Sequence, residues 1–179
     1  MTRLACFLRG INLGSRRVKM AELRRPFEAM GLGGVDSFLA SGNVVFDDPG
    51  GDRGALEEEI EAGLEQALGF ATEAFFRDLP GLADLVDHEL VARAGDDGFT
   101  PYVVFLKETP GADVEEALAA LQTPDDRLHL LGREVVWRRR GGISDSPISP
   151  ADFAKAVGGR DHTRRKASTL RRMVAKYGG

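Results

Sequence analysis

The chain has 179 residues, of which 42% are hydrophobic, and a formal net charge of −4. That is enough apolar material for one ordinary domain or two small associated ones, so a disordered chain is not expected. A single cysteine excludes an intramolecular disulfide framework, and no stretch approaches the roughly 18 to 20 apolar residues of a membrane-spanning helix.

The opening residues Arg3 to Leu8 form a short, mainly apolar run that reads as a buried strand. Arg9 interrupts it too early for a secretory h-region, so a cytoplasmic location is expected. A Gly/Arg loop follows, Arg9-Gly10-Ile11-Asn12-Leu13-Gly14-Ser15-Arg16-Arg17. From Lys19, Met20, Leu23, Phe27 and Met30 fall at helical spacing and Gly31 supplies a stop. Pro26 inside that pattern predicts a bend or break, because proline removes a helical hydrogen bond. Val35 to Leu39 and Asn43 to Asp47 flank Ala40-Ser41-Gly42-Asn43 and read as a hairpin. Leu56, Ile60, Leu64 and Leu68 then step by four along an acidic helix, and Phe70 to Arg77 reads as a strand. The order β-α-β-β-α-β is the split βαβ pattern of ferredoxin-like folds.

A short helix over Leu79 to Val86 precedes a central strand at Tyr102 to Leu106. The next helix is predicted to open at Asp113, with Glu116 three residues on as a capping box. Arg127 to Leu131 and Glu134 to Arg138 read as a second hairpin across Gly132-Arg133, so β-α-β-β recurs. Ser149, Pro150 and Asp152 carry the signals of a helix start, and Gly158-Gly159 those of its end. A last helix is predicted from about Thr163 to Lys176. The fold class is therefore α/β in the α+β sense: two ferredoxin-like halves, the second lacking its closing strand, with a helical C-terminal extension. The expected boundaries are residues 1–78, 79–140 and 141–179.

Three blocks resemble one family. Leu8-Arg9-Gly10-Ile11-Asn12-Leu13-Gly14, Val18-Lys19-Met20-Ala21-Glu22-Leu23 and Ser41-Gly42-Asn43-Val44-Val45-Phe46 occur in the order and at the spacing of the domain of unknown function 1697 family of bacterial proteins. The resemblance continues more weakly at Thr163, Arg165 and Thr169, but Lys166 and Ala167 stand where the family pattern carries Asn and Trp. The resemblance implies a ferredoxin-like α/β architecture and brings no reaction, substrate or cofactor.

Charge is divided along the chain. Residues 1–46 hold seven Lys/Arg against three Asp/Glu, residues 47–126 four against 21, and residues 138–179 eleven against three. A division of this kind can steer an anionic partner or hold parts of one molecule together.

The principal candidate site is the first loop. A strand, a glycine-containing loop and a helix start can aim backbone N–H groups at an anion. Arg9, Gly10, Asn12, Gly14, Ser15, Arg16, Arg17 and Lys19 would form it, joined by Ser41 and Asn43 from the hairpin. It is not a P-loop, since Gly14 is followed by Ser15-Arg16 and not Lys-Ser/Thr, and no G-x-G-x-x-G is present. Turn chemistry explains the same glycines and Asn43 without any ligand.

A secondary basic patch is expected where Arg165, Arg172 and Lys176 share a face of the last helix, with Arg138-Arg139-Arg140 adding to it. Docking of that helix, with charges paired to the acidic middle of the chain, is the competing explanation. His88, His129 and His162 are too scattered for a zinc site, so no metal or cofactor is expected. Cys6, between Ala5 and Phe7, reads as core. The leading expectation is a module that binds nucleic acid or a nucleotide. The alternatives are an enzyme for a small phosphorylated or carboxylated substrate, and an interaction protein that forms homodimers through its sheet.

Overall fold

Leu4 to Leu8 are all wholly or nearly buried, as a strand flanked on both edges requires, and β1 spans Arg3–Leu8. A computed structural model of the chain describes residues 2–12, 17–39, 41–92 and 97–178, in two compact units, residues 1–81 and 82–179. In the first unit β1 is followed by α1 (Met20–Ala29), β2 (Asp36–Ser37), β3 (Asn43–Asp47), α2 (Arg53–Leu68) and β4 (Ala74–Asp78). The strands form one antiparallel sheet in the order β2-β3-β1-β4, with Cys6 opposite Val44 on one side and Phe76 on the other.

The two-residue period of the strands sends Leu4, Cys6, Leu8, Val44, Phe46 and Phe76 to one face. Leu23 and Phe27 of α1 and Leu56, Ile60 and Leu64 of α2 join the same core. Phe46 packs against Phe27 and Phe76, with ring centroids 5.6 and 6.0 Å away. Asp52 caps α2 by accepting the Ala55 N–H at 2.7 Å. No break occurs at Pro26, although a bend or break was expected there. The helix continues to Ala29, and the missing N–H costs it one hydrogen bond with only three residues still to come.

Helices α3 (Leu79–Asp87) and α4 (Glu89–Ala92) lead on to the elements that repeat the first topology. These are β5 (Phe99–Leu106), α5 (Ala112–Ala120), β6 (Asp126–Leu131), β7 (Glu134–Arg140), α6 (Pro150–Ala156), β8 (His162–Lys166) and α7 (Ala167–Tyr177). The strand order is β6-β7-β5-β8, position for position that of the first sheet. The second half therefore has its closing strand, and the helix expected from Thr163 begins only at Ala167. Thr163 and Arg165 are buried while Arg164 and Lys166 are exposed, the alternation of a strand, and no Gly or Pro separates it from α7. Helix α5 also differs at its start. It begins at Ala112 with Gly111 as N-cap, so Asp113 lies inside the first turn and forms no capping box.

The second core gathers Val104, Leu106, Leu128, Val135 and Trp137 from the sheet and Val114, Leu118, Phe153 and Val157 from the helices. Beside it lies a buried polar knot. The Asp126 carboxylate, wholly buried, accepts hydrogen bonds from Trp137 Nε1 at 2.8 Å, Ser146 Oγ at 2.9 Å, Thr123 Oγ1 at 2.7 Å and Arg139 Nη1 at 2.6 Å. Arg139 in turn donates to the carbonyls of Gly142 and Asp145, tying the loop after β7 to the sheet. Burial disfavours the Asp126 carboxylate, but the hydrogen bonds from Thr123, Trp137 and Ser146 and the charge of Arg139 outweigh it and hold its pKa below the ordinary carboxylate value.

Candidate anion-binding site

The first loop leaves β1 between two anchored neighbours. On one side the Arg9 N–H donates to the Glu73 carbonyl at 3.0 Å, and the Arg9 carbonyl accepts from Thr72 Oγ1 at 2.6 Å. On the other, the Leu8 N–H donates to the Gly42 carbonyl at 2.7 Å. Gly10 (φ +69°) and Gly42 (φ +75°) both occupy the left-handed region that glycine enters without strain. At Gly42 a Cβ would stand 3.0 Å from Ile11 Cγ1 and 3.3 Å from Leu8 Cβ. The hairpin turn and the first loop are thus in contact.

Their polar side chains do structural work. Asn43 is wholly buried, and its Nδ2 donates to the Phe38 carbonyl at 2.8 Å and to Ser41 Oγ at 2.7 Å. Asn12 Oδ1 accepts the Val18 N–H at 2.9 Å, fixing the far end of the loop. The Lys19 N–H donates to Glu22 Oε2 at 3.1 Å, at the start of α1. Gly14, Ser15 and Arg16 lie outside the described residues.

The charged side chains of the loop part company. Arg9 pairs with Glu73 at 3.6 Å, on the side of a 280 Å³ cleft walled by Glu58, Glu61, Glu65 and Glu73. Arg17 lines a different cleft, of about 530 Å³, that runs along α1 and meets the C-terminal end of α2. There Arg17 and Arg25 supply positive charge, Glu22 one negative charge, and Val18, Pro26, Ala29, Leu68 and Phe70 an apolar wall. Lys19 is exposed next to it in sequence. Arg25 was not singled out by the loop motif. Its signal was the helical face Glu22, Arg25, Pro26 and Ala29, spaced three and four apart.

The secondary basic patch does not form as expected. Arg165 is on β8 and buried, donating to Thr163 Oγ1 at 2.8 Å and to the Arg164 carbonyl at 2.9 Å. Only Arg172 and Lys176 share α7, whose buried residues are Ala167, Leu170, Met173 and Tyr177. Lys176 Nζ stands 2.7 Å from the Tyr177 hydroxyl. The Arg138-Arg139-Arg140 run is divided by the strand period. Arg139 enters the Asp126 knot, while Arg138 and Arg140 pair with Asp97 and Asp125. Among the described residues no cluster of His, Cys, Asp and Glu is arranged to hold a metal ion. No described helix is long and apolar enough to cross a membrane.

The sequence profile of a family described as proteins of unknown function, DUF1697, matches residues 1–136, which cover the whole first unit and the second as far as β7. The chain belongs to the DUF1697 family. A conserved bacterial protein from Streptococcus pneumoniae has the same fold as this DUF1697 chain, with a TM-score of 0.69 and 24% identity over 100% of this chain and 99% of that one. No curated protein matches it. The family profile stops before β8 and α7, so the segment with Lys166 and Ala167 lies beyond the matched region of this DUF1697 member.

Proposed function

We propose that this DUF1697 protein binds a small phosphate-bearing ligand, a nucleotide, in the cleft beside its first loop. The carrying observation is the pairing of Arg17 and Arg25 with an apolar wall that includes the half-buried Phe70. A guanidinium pair suits a phosphate because each presents a planar fork of donors to its oxygens. The apolar wall suits a base or ribose, which stacks or packs with little sequence preference. A volume of about 530 Å³ lies in the range that small ligands occupy. Glu22 lines the same cleft, and its engagement with the Lys19 N–H holds that carboxylate at the helix start.

A nucleotide is favoured over a nucleic-acid strand by the fate of the C-terminal arginines. Arg165 is buried on β8 and bonded to Thr163, and Arg139 is taken up by the buried Asp126, so neither adds to a basic face of α7. An acyl-transfer or hydrolytic site built from Asn12, Ser41 and Asn43 has less support, since none of the three lines the cleft and each is bonded locally.

The test is calorimetric titration of the whole protein with a panel of purine and pyrimidine nucleotides at low and raised ionic strength. Binding that weakens with salt and falls about tenfold, or 1.4 kcal/mol, in Arg17→Ala and in Arg25→Ala is expected. Absence of binding at low salt, or binding that neither substitution alters, overturns the reading.

A further inference from the structure

The divided arginine run brings together a second group of charges. In the register of the second sheet Phe99 faces Arg140, Pro101 faces Arg138, and Arg138 faces Arg127. The strand period therefore puts Phe99, Arg127, Arg138 and Arg140 on one side and sends Arg139 to the other. The guanidinium carbons of Arg127, Arg138 and Arg140 lie 5.7, 5.7 and 4.7 Å from the Phe99 ring centroid.

A ring has two faces, so the quadrupole of Phe99 does not account for three cations. Two carboxylates accompany them. Asp97 pairs with Arg138, and Asp125 stands 3.6 Å from Arg140 with both side chains about half exposed, 56% and 49%. Among the described residues three positive charges thus meet two negative ones. The Arg138 side chain is only 13% exposed, and its Nε is buried without a hydrogen-bond partner among the described residues. An unmade hydrogen bond of this kind is costly and calls for an acceptor.

We propose that Arg127, Arg138 and Arg140, gathered around Phe99, form a binding site for a phosphate-type oxyanion. The site shares no residue with the cleft beside the first loop and does not rest on that reading of it. Carboxylates already serve Arg138 and Arg140, and the Thr123 and Asp126 carbonyls accept from Arg127 Nη1, so the missing group is one that offers further acceptor oxygens to the remaining N–H groups of several forks at once, which a tetrahedral phosphate does. The exposed Arg140–Asp125 pair contributes little to stability, so an incoming phosphate can take over Arg140 at small cost. A free phosphate and the backbone of a nucleic-acid strand present the same chemistry here.

His129 serves as the reporter. It lies two residues from Arg127 on β6, facing the same side of the sheet, and burial together with the charges of Arg138 and Arg127 lowers its pKa. A bound anion offsets those charges and makes the imidazole easier to protonate. The experiment follows the three histidines by NMR in the whole protein, with His129 assigned through His129→Gln. Inorganic phosphate replaces chloride at constant ionic strength in one arm, and a short single-stranded oligonucleotide is added in the other.

A saturable upward shift of the His129 midpoint with phosphate is expected, with apparent affinity about tenfold weaker in Arg127→Ala and in Arg140→Ala and partly restored in Arg140→Lys. Response to phosphate alone marks a small-anion site, and response to both probes a site for backbone phosphate. The proposal is overturned if neither probe moves His129. It is equally overturned if the shift persists unchanged in the two alanine variants, or if Lys155→Ala on α6 weakens it as much as they do.

Discussion

Replacing Asp126 by Ala removes the one acceptor shared by Trp137, Ser146, Thr123 and Arg139. The Arg139 side chain is 8% exposed, so the variant leaves a buried guanidinium without its counter-charge. Loss of one partner of a buried pair costs about 3–5 kcal/mol, most of it from the charge left behind. Trp137 is the only tryptophan and is itself a donor to Asp126, so its fluorescence reports on the second unit during urea unfolding. With a slope of about 1–3 kcal/mol per molar urea, a loss of about 4 kcal/mol moves the midpoint down by more than about 1 M. The double variant Asp126→Leu/Arg139→Met removes the stranded charge and is expected to recover much of that loss. The folded carboxyl pKa lies below its unfolded value. Its stabilisation is therefore complete above the ordinary carboxylate range and is lost as pH falls through the folded pKa, so Asp126→Ala flattens the acid limb of stability against pH. A midpoint shift below about 0.3 M, or a double variant as unstable as Asp126→Ala, would refute the view of Asp126 as the acceptor that holds this knot together.

Gly42→Ala places a Cβ 3.0 Å from Ile11 Cγ1 at a φ of +75°, and a loss of about 1–3 kcal/mol is expected in chemical denaturation of the first unit; an unchanged midpoint would contradict that geometry. The lowered pKa of His129 keeps its imidazole neutral in the fold below the pH at which the unfolded residue protonates. Stability is then full above that unfolded pKa and falls as pH drops below it, so His129→Gln should show a shallower decline below about pH 6.5 when unfolding is followed at each pH.

The paired β-α-β-β order was legible because β1, β3, β5 and β7 centre on apolar runs and the helices repeat apolar residues three or four apart, as in Leu56, Ile60, Leu64 and Leu68. Strand β8 was not. Its two buried residues are Thr163 and Arg165, so hydropathy shows no alternation, and it adjoins α7 directly. That the hairpin could lie near the first loop was legible, and the contact between Gly42 and Ile11 that realises it follows from adjacency of β1 and β3. Which arginines face a cleft was not, because the same residue type at 138, 139 and 140 points to two sides of one strand. Arg25 was hidden for a related reason. On an amphipathic helix a basic residue reads as solvated surface until the wall opposite it, here Leu68 and Phe70, is known.

The placement of β8 bears on where the chain can be divided. Residues 1–136 carry the family profile, yet a chain cut at that point would lose the strand that pairs with Tyr102 to Leu106. The last four residues of β7, Trp137 among them, would go with it. Five positions of β5 would then present an open ladder of N–H and C=O groups, flanked by Val103, Val104 and Phe105, which is the signature of a self-associating edge. The last 43 residues are thus the insulation of the second sheet, and a folded fragment of this protein is better sought near the division between the two units, where β4 gives way to α3, than at the edge of the family profile.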